Sequence, residues 1–545
     1  MTHAVINQPP PREGHNVFEE DVALIEAVQR EGAAWALADL RALGDLAGAE
    51  VWLQRGRAAN EAPPQLRTHD RYGHRIDEVT YHPAYHDLMS AAAAHGLHAA
   101  PWRDDAPPGA HVARAAKFLV WSRVDAGHLC PMSMTYAVLP SLAHQPDLAA
   151  QWRPRVTSPV YDPAFRPAGE KAGATFGMAM TEKQGGSDVR SNSTRALAVD
   201  GGGPGTRYRL TGHKWFCSAP MSDAFLVLAQ ADGGLSCFLL PRWLPDGTRN
   251  VFRLQRLKDK LGDRSNASSE VEFADTDAWL VGEEGRGVRT IIEMVGHTRL
   301  DCAVGAAASM RHGLAEAAWH AAHRSAFGAR LAEQPLMRAV LADLALESEA
   351  ATALALRLAR AFDSATSDVH EAGLRRLAMP VAKYWLCKRA PTHVAEALEC
   401  LGGAGFVEES DLPRMFRQSP LNGIWEGSGN VQCLDVLRAM AKSPDAVEAF
   451  AAEIAASAGG DRRLDEAAET LRKDLAEVRE ATARRVVERM AVVLQAALLV
   501  RHGDPVVADA FCATRLAGDH GTAFGTLPDA VDTQPILARA LPALA

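Results

Sequence analysis

The chain has 545 residues, of which 47% are hydrophobic and 23% are charged, as is usual for globular proteins. Its net charge of -9 argues against a strongly basic nucleic-acid coat. Since the sequence has no 18-residue uncharged apolar run and no signal-peptide pattern, we expect a cytoplasmic protein without a membrane partner. The eight cysteines include no C-x-x-C pair, which predicts reduced structural thiols and no metal site.

The residue patterns predict an α+β protein with four regions in chain order. Residues 1–20 contain three consecutive prolines and are predicted to form an extended arm. Helical spacing follows, then short β-type segments between glycine-rich turns that predict a β-barrel or sandwich, then helical spacing again. In the last region, one long helix is predicted from Leu464 to Leu494. The predicted boundaries of the helical N-terminal domain, the β-barrel, the helical domain and the helical C-terminal extension are 1–170, 171–287, 288–443 and 444–545.

The first segment whose residues suit ligand binding is a strand that runs into a Gly-Gly turn and ends in hydroxyl and carboxylate side chains. Glycines allow close backbone approach to a pyrophosphate, and the exposed N–H groups are donors. We expect Thr181 to bind a heterocycle edge and Ser187 a phosphate, although a polar hairpin turn has the same composition. The candidate cofactor-binding residues here are Met178, Ala179, Met180, Thr181, Glu182, Lys183, Gln184, Gly185, Gly186 and Ser187.

A second segment, Trp215–Phe216–Cys217–Ser218, places a tryptophan just before another predicted strand. Such a side chain stacks on a flat cofactor or shields it from water. Taken singly, the tryptophan is explained better by a position in the protein core.

A third segment places Glu426 between two bulky apolar residues and a glycine-rich stretch. A partly desolvated carboxylate there suits the abstraction of a weakly acidic C–H proton; a solvated loop glutamate is the alternative interpretation. Upstream, Gly402 and Gly403 form another loop that permits close backbone approach. Arg324 is a candidate phosphate ligand or an ordinary surface arginine.

Together these segments resemble the acyl-CoA dehydrogenase superfamily. The flavin loop of that family, M-T-E-P-x-A-G-S-D, is similar to Met180–Asp188, with Lys183 at the proline position, and its G-x-K-x-W-I-T-N strand is similar to Gly212–Ser218. Its R-x-x-F-G, L-G-G-x-G-[FY] and Y-E-G-T motifs are matched by Arg324–Gly328, Leu401–Phe406 and Trp425–Ser428.

Within the superfamily, the chain resembles the AidB-type alkylation-response flavoproteins over nearly its whole length. The segments that carry this closer resemblance are Tyr81–Met89, Leu129–Ala137, Thr181–Ala196, Leu257–Ser268 and Pro420–Asn430.

The resemblance implies an FAD cofactor, a homotetramer with flavin sites at subunit interfaces, and α,β-dehydrogenation of a short or branched acyl-CoA with Glu426 as the base. It assigns Thr181 to the flavin pyrimidine and Ser187 to the pyrophosphate. Further cofactor contacts implied by the family are Trp215, Phe216, Cys217, Ser218, Arg324, Phe327, Gly402, Gly403, Ile424, Trp425, Gly427, Ser428, Gly429, Asn430, Val431, Gln432, Cys433 and Leu434. The resemblance leaves the electron acceptor open.

Two departures from the family pattern predict slow turnover. Cys217 replaces the usual threonine beside flavin N5 and is a weaker hydrogen-bond donor, while Trp215 and Trp425 are bulky enough to narrow the acyl pocket. Some relatives place the base on the helix after the β-domain, but Gly296–Arg299 contains no carboxylate. Glu426 is therefore the only inherited candidate.

Two alternative functions remain open: an acyl-CoA oxidase, and a protective flavoprotein that binds double-stranded DNA and has little catalysis. DNA affinity requires a local basic surface, yet residues 441–545 contain 12 Lys and Arg against 16 Asp and Glu. The predicted long helix either presents one basic stripe or forms a salt-bridged face. The stripe residues are Arg472, Lys473, Arg479, Arg484, Arg485 and Arg489, interleaved with Asp474, Glu477, Glu480 and Glu488.

Overall fold

The computed structural model describes residues 2–199 and 201–541. The chain forms two compact units, each built from separate stretches of sequence. The first unit contains the chain up to Glu50, Pro108–Arg123 and the chain from Arg299 onward; the second contains Val51–Pro107 and Val124–Thr298. Within the part of the chain that the structure describes, no helix is long and apolar enough to cross a membrane.

Most of the chain outside the barrel is helical, and the predicted α+β fold is confirmed. Side-chain caps define several helix starts, as where the Asp368 carboxylate accepts the N–H groups of His370 and Glu371. The helices are α1 Val22–Arg30, α2 Leu37–Gly48, α3 Glu50–Glu61, α4 Pro83–Ala94, α5 Ala110–Trp121, α6 Leu129–Leu142, α7 Pro146–Val156, α8 Gly287–His323, α9 Pro335–Ser364, α10 Val369–Glu399, α11 Leu412–Gln418, α12 Gly429–Lys442, α13 Pro444–Ala455, α14 Arg462–Ala476, α15 Ala483–His502, α16 Pro505–Phe511 and α17 Thr533–Ala540.

The second unit contains the predicted β-barrel. The strands of the protein are β1 Gln65–His69, β2 Arg75–Thr80, β3 Phe176–Ala179, β4 Arg195–Ala198, β5 Arg207–Ser218, β6 Ala224–Ala231, β7 Gly234–Pro241, β8 Arg253–Leu257, β9 Ser268–Leu280, β10 Ser325–Ala326 and β11 Ala329–Arg330. The pairings β6–β4–β5–β9–β7 and β7–β6 close a ring of five strands, to which β3 and β8 add. Phe225, Phe238, Leu254 and Val271 fill its core.

The structure corrects two details of the sequence analysis. The predicted helix from Leu464 to Leu494 is two helices, α14 and α15, separated by a 3-10 turn at Glu480–Thr482. The turn forms because Arg479 is extended and its N–H donates to the Thr482 hydroxyl, 3.1 Å away. The N-terminal region is also less uniformly helical than predicted, since β1 and β2 form an antiparallel hairpin.

Candidate active site

Glu426 lies in a strained turn directly before α12, in the first unit. Its φ angle is 58° and that of the following Gly427 is 95°. A left-handed backbone is costly for a glutamate and persists only where the surrounding structure imposes it. The contacts that hold this turn therefore determine where the carboxylate is presented.

The principal anchor of the turn is Lys383 on α10, which is 1% exposed. Its ammonium donates to the carbonyl oxygens of Asn422, Trp425 and Gly427 at 3.0, 2.9 and 2.9 Å. Each of the three N–H groups of the ammonium thus donates to a backbone carbonyl, so that every donor of the lysine is used. The arrangement fixes the chain on both sides of Glu426.

The Glu426 carbonyl oxygen has two further donors, one from α8 and one from α12. Arg299 Nε donates to it at 3.0 Å and Gln432 Nε2 at 3.1 Å. Arg299 also pairs with Asp435 at 2.7 Å, and Arg376 with the same carboxylate at 3.0 Å. Burial disfavours the charged form of Asp435, but the two arginines stabilise that form more strongly. The pKa of Asp435 is therefore lowered. The turn is therefore bound to three helices.

The remaining predicted contacts near Glu426 divide by exposure. Gln432 and Cys433 are buried, so their side chains belong to the protein interior. Trp425 is half-buried, and its indole N–H donates to Asn422 Oδ1 at 3.0 Å. The side chains open to a ligand are those of Ile424, Asn430 and Leu434, with Gly427, Ser428, Gly429 and Val431 partly open.

Two other loops of the first unit offer open backbone. A Cβ atom added at Gly402 or Gly403 meets nothing within 4 Å, so a ligand has room to approach the main chain there. Arg324 and Phe327 belong to the β10–β11 hairpin, where Phe327 has a φ of 52° and is fully exposed. A positive φ is uncommon for a bulky residue and costs conformational energy.

In the second unit, the loop from Met178 to Ser187 is shaped by one buried ion pair. Glu182 and Lys214 are fully buried and 2.8 Å apart, and Lys214 also donates to the Leu228 carbonyl at 2.7 Å. Burial opposes ionisation of Glu182, but Lys214 and hydrogen bonds from Ser193 and Thr194 hold its pKa well below the usual range. The Glu182 side chain therefore supports the loop, and only its backbone remains available to a ligand.

The outer face of this loop leaves space beside the backbone. A Cβ at Gly186 would lie 2.4 Å from Thr181 Oγ1, whereas one at Gly185 meets nothing within 4 Å. Glycine is thus needed at position 186 to bring the two sides of the loop together, and Gly185 leaves space beside the backbone. Lys183, Gln184 and Ser187 are exposed, Met178, Met180 and Thr181 half-buried, and Ala179 buried.

Strand β5 presents a cationic and aromatic surface. Lys258 Nζ lies 3.3 Å from the centre of the Trp215 ring, Ser218 is half-buried and Phe216 is 50% exposed. Cys217, in contrast, is buried in the barrel core, where burial raises its pKa to about 12. Since β5 is irregular between Lys214 and Cys217, the thiol points inward. The Cys217 thiol is therefore not open to a ligand, and a contact between this residue and a flavin stays a prediction that only its backbone atoms can fulfil.

The chain matches three family models in an order that agrees with these features. They are the adaptive response protein AidB N-terminal domain over residues 7–163, the acyl-CoA dehydrogenase middle domain over 177–276 and the acyl-CoA dehydrogenase C-terminal domain over 285–441. The putative acyl-CoA dehydrogenase AidB of Escherichia coli (strain K12) is 48% identical over 517 residues, 95% of each chain. The chain belongs to the AidB branch of the acyl-CoA dehydrogenase family.

Two further comparisons agree with this membership. Acyl-CoA dehydrogenase family member 11 of Caenorhabditis elegans is 31% identical over 472 residues, 83% of this chain and 75% of that one. The crystal structure of Caenorhabditis elegans ACDH-11 in complex with C11-CoA has a TM-score of 0.86 at 28% identity, covering 95% of this chain and 94% of that one. The resemblance stated from the motifs is confirmed, and acyl-CoA dehydrogenase membership implies an oxidoreductase with FAD.

Sequence reasoning missed the residues that hold the Glu426 turn. Lys383 lies within the apolar run Ala382–Cys387 of α10, and a lysine inside such a run is a sign of a buried ammonium with backbone partners. Arg299 belongs to the segment Gly296–Arg299, whose sequence shows only that it has no carboxylate. No local pattern connects either residue with Glu426.

Proposed function

We propose that this protein is an FAD-dependent acyl-CoA dehydrogenase in which Glu426 removes the α-proton of a short or branched acyl-CoA. The observation that carries the proposal is the fixed, left-handed Glu426 turn, bound by Lys383, Arg299 and Gln432. Such rigid placement is what proton abstraction from carbon requires, because a base contributes only when it is held in line with the C–H bond.

Different residues of the chain would bind the cofactor and act on the substrate. The backbone of the Met178–Ser187 loop, Trp215 and Phe216 would hold the flavin. In the proposed homotetramer, Arg324 and the Gly402–Gly403 loop would reach the dinucleotide half of the neighbouring subunit's FAD. Glu426 accepts the α-proton, and its backbone N–H stabilises the charge that develops on the thioester oxygen. Bound FAD would supply the acceptor for the hydride from the β-carbon, and the product would be the 2-enoyl-CoA.

Anaerobic titration of the flavin-loaded protein tests this proposal. We expect butyryl-CoA or isovaleryl-CoA to bleach the oxidised flavin band slowly, since the bulky Trp425 directly precedes Glu426 in the sequence and is predicted to narrow the acyl pocket. C11-CoA belongs in the series because it is the ligand in the Caenorhabditis elegans relative's structure. A flavin spectrum that no thioester changes contradicts dehydrogenation. Oxygen consumption in the presence of the reducing thioester separates an acyl-CoA oxidase from a dehydrogenase.

A DNA-associated role in the response to alkylation damage is a second hypothesis, supported by membership of the AidB branch. The contacts of the proposed basic stripe speak against it. Arg472 pairs with Glu469 at 2.8 Å, Arg489 pairs with Asp474, and Arg484 lies 3.2 Å from the Tyr384 hydroxyl. These pairs favour the salt-bridged face, and the turn between α14 and α15 divides the stripe.

A salt-dependent gel shift on duplex DNA tests the stripe. The double substitution Arg479→Gln and Arg485→Gln removes two exposed charges, while Arg462→Gln is the control because Arg462 lies outside the stripe and pairs with Glu466. If the stripe binds phosphates, the double variant loses affinity and salt dependence and the control does not. Equal affinity in all three proteins contradicts this surface as the contact.

The predicted homotetramer is supported by apolar side chains on the outside of the first unit. Phe327, Phe406 and Ile424 are 101%, 81% and 65% exposed, and burial of these side chains in a subunit interface would remove their apolar surface from water. Analytical ultracentrifugation measures the assembly directly, and a monomer at micromolar concentration contradicts it. A cytoplasmic location stays a prediction.

A further inference from the structure

The N-terminal arm, residues 2–20, lies along the C-terminal half of α8. The indole N–H of Trp319 donates to the Pro10 carbonyl at 2.9 Å, and the rings of His15 and Trp319 are 4.6 Å apart. Arg12 donates to Glu316 at 3.3 Å. The arm is thus attached at several points, in agreement with the extended conformation that its prolines predict.

The arm ends against the hairpin that carries Arg324. Asn7 Nδ2 donates to the Ser325 carbonyl at 2.8 Å, and the Ser325 N–H donates to Asn7 Oδ1 at 2.7 Å. The Asn7 side chain therefore pairs with β10 as a neighbouring strand would. Asn7 itself has a φ of 57°, a conformation that asparagine tolerates better than most residues.

A third contact from the arm reaches the Arg324 guanidinium itself. Arg324 Nη1 donates to the Asn7 carbonyl at 2.5 Å. Among residues 2–199 and 201–541, no carboxylate lies within ion-pair distance of this guanidinium. The arm thus holds a cation in one orientation without neutralising it, and the other N–H groups remain for an anion.

The hairpin needs an external support of this kind. Its turn residues Phe327 and Gly328 both have positive φ angles, 52° and 85°, and each of its strands has only two residues. So short a hairpin is marginal alone, and the phenylalanine adds strain. Asn7 supplies this support by pairing with β10, next to Arg324.

We infer that the N-terminal arm, through Asn7, positions Arg324 to bind the pyrophosphate of FAD. A guanidinium makes paired hydrogen bonds with phosphate oxygens only when its plane is correctly oriented, and the Asn7 carbonyl fixes that plane. The inference rests on the proposed function, because it takes FAD as the anion. Asn7 is a positioning residue, and the contact with the cofactor belongs to Arg324.

Equilibrium binding of FAD and of riboflavin to the full-length apoprotein tests the inference. Asn7→Gly removes the amide but keeps a backbone that adopts positive φ freely, and Arg324→Gln removes the cation. Gln8→Ala is the matched control, since Gln8 is an exposed neighbour on the same arm. We expect the Kd for FAD to rise about fivefold in Asn7→Gly and about tenfold or more in Arg324→Gln. Riboflavin has no pyrophosphate, so its Kd should not change.

The binding results distinguish a failure of the inference about the N-terminal arm from a failure of the proposed function. If Arg324→Gln weakens FAD binding but Asn7→Gly does not, the positioning role of the arm is wrong and the flavin site stands. If Arg324→Gln leaves the FAD affinity unchanged, Arg324 does not bind the pyrophosphate and the inference is overturned, although flavin reduction by acyl-CoA still occurs. An equal loss of riboflavin binding in Asn7→Gly overturns it as well, because that indicates a general structural effect. Failure of the unmodified protein to bind FAD overturns both.

Discussion

The Lys383 ammonium donates a hydrogen bond to the Gly427 carbonyl oxygen across 2.9 Å. This bond joins the middle of α10 to the residue that follows the proposed base, and two more bonds from the same ammonium reach Asn422 and Trp425. A buried ammonium normally has a carboxylate partner. Here the partners are main-chain oxygens, so the charge serves to fix a backbone shape.

Substitution of Lys383 by methionine should uncouple this turn from α10. We expect Lys383→Met to lower the rate of flavin reduction about 10- to 100-fold, because a displaced base loses its alignment, while FAD content stays unchanged. The buried carbonyls left without donors should cost on the order of 2–4 kcal/mol of unfolding free energy. Stopped-flow reduction and urea unfolding measure the two effects. Lys388→Met, an exposed position on the same helix, is the control, and equal reduction rates in the two variants contradict the role of Lys383.

The Glu182–Lys214 pair gives a prediction about the flavin loop. Removal of one member of a fully buried ion pair leaves an uncompensated charge, so Glu182→Gln should destabilise the protein by about 3–5 kcal/mol and weaken FAD binding. Adding Lys214→Met to that variant should restore part of the stability, as a double-mutant cycle reveals. Glu466→Gln, in an exposed pair with Arg462, should change stability by less than about 1 kcal/mol. A loss of similar size in both single variants would show that burial of the pair is unimportant.

Local patterns predicted much of the fold. The barrel follows from short apolar runs such as Ala224–Ala231, which has six consecutive buried residues and turns on both sides. The Glu426 segment and the glycine loops were found because their sequences depend on local backbone geometry. Glu426 and Gly427, for example, occupy adjacent positive-φ positions.

Long-range contacts were not predictable in the same way. Lys383 and Arg299 contact the Glu426 turn from separate helices, and Asn7 contacts Ser325, which lies 318 residues further along the sequence. Such pairings depend on tertiary packing, which one sequence does not reveal. The break between α14 and α15 was missed because the apolar spacing continues through Val478, while the break depends on a hydrogen bond between Arg479 and Thr482.

A buried carboxyl in the Leu257–Ser268 segment should make stability depend on pH. Burial raises the pKa of Asp263 to about 7, although Lys260 opposes this and Asp125 adds to it. The pKa of Asp263 is higher in the folded protein than in the unfolded chain. The contribution of this carboxyl to the free energy of unfolding is therefore fully present below about pH 4 and is lost as pH rises through about 7. The free energy of unfolding of Asp263→Asn, measured relative to that of the unmodified protein, should therefore increase by at least about 1 kcal/mol when the pH is raised from 5 to 8. Asp259→Asn, an exposed control on the same segment, should show no such gain in urea unfolding, and a flat difference for Asp263→Asn contradicts the assignment.

The thiols should be unreactive in the folded protein. All eight cysteines are buried, and burial raises the pKa of Cys217, Cys237, Cys400 and Cys512 to about 12. Because the thiolate is the reactive form, a disulfide reagent at pH 8 should show no fast phase until denaturant is added, when eight thiols react. Rapid modification of even one thiol under native conditions would contradict the buried positions.

Glu426 provides the most direct test of the catalytic proposal. Flavin-loaded Glu426→Gln should keep the oxidised flavin spectrum and the FAD affinity of the unmodified protein, because the amide has the same shape and the turn is held through backbone atoms. Under anaerobic conditions, the acyl-CoA that bleaches the unmodified protein should leave this variant yellow, with a rate at least about 1,000-fold lower. Glu426→Asp, which retains a shorter carboxylate, should recover part of the rate. Bleaching of Glu426→Gln at the unmodified rate would contradict the assignment of Glu426 as the base.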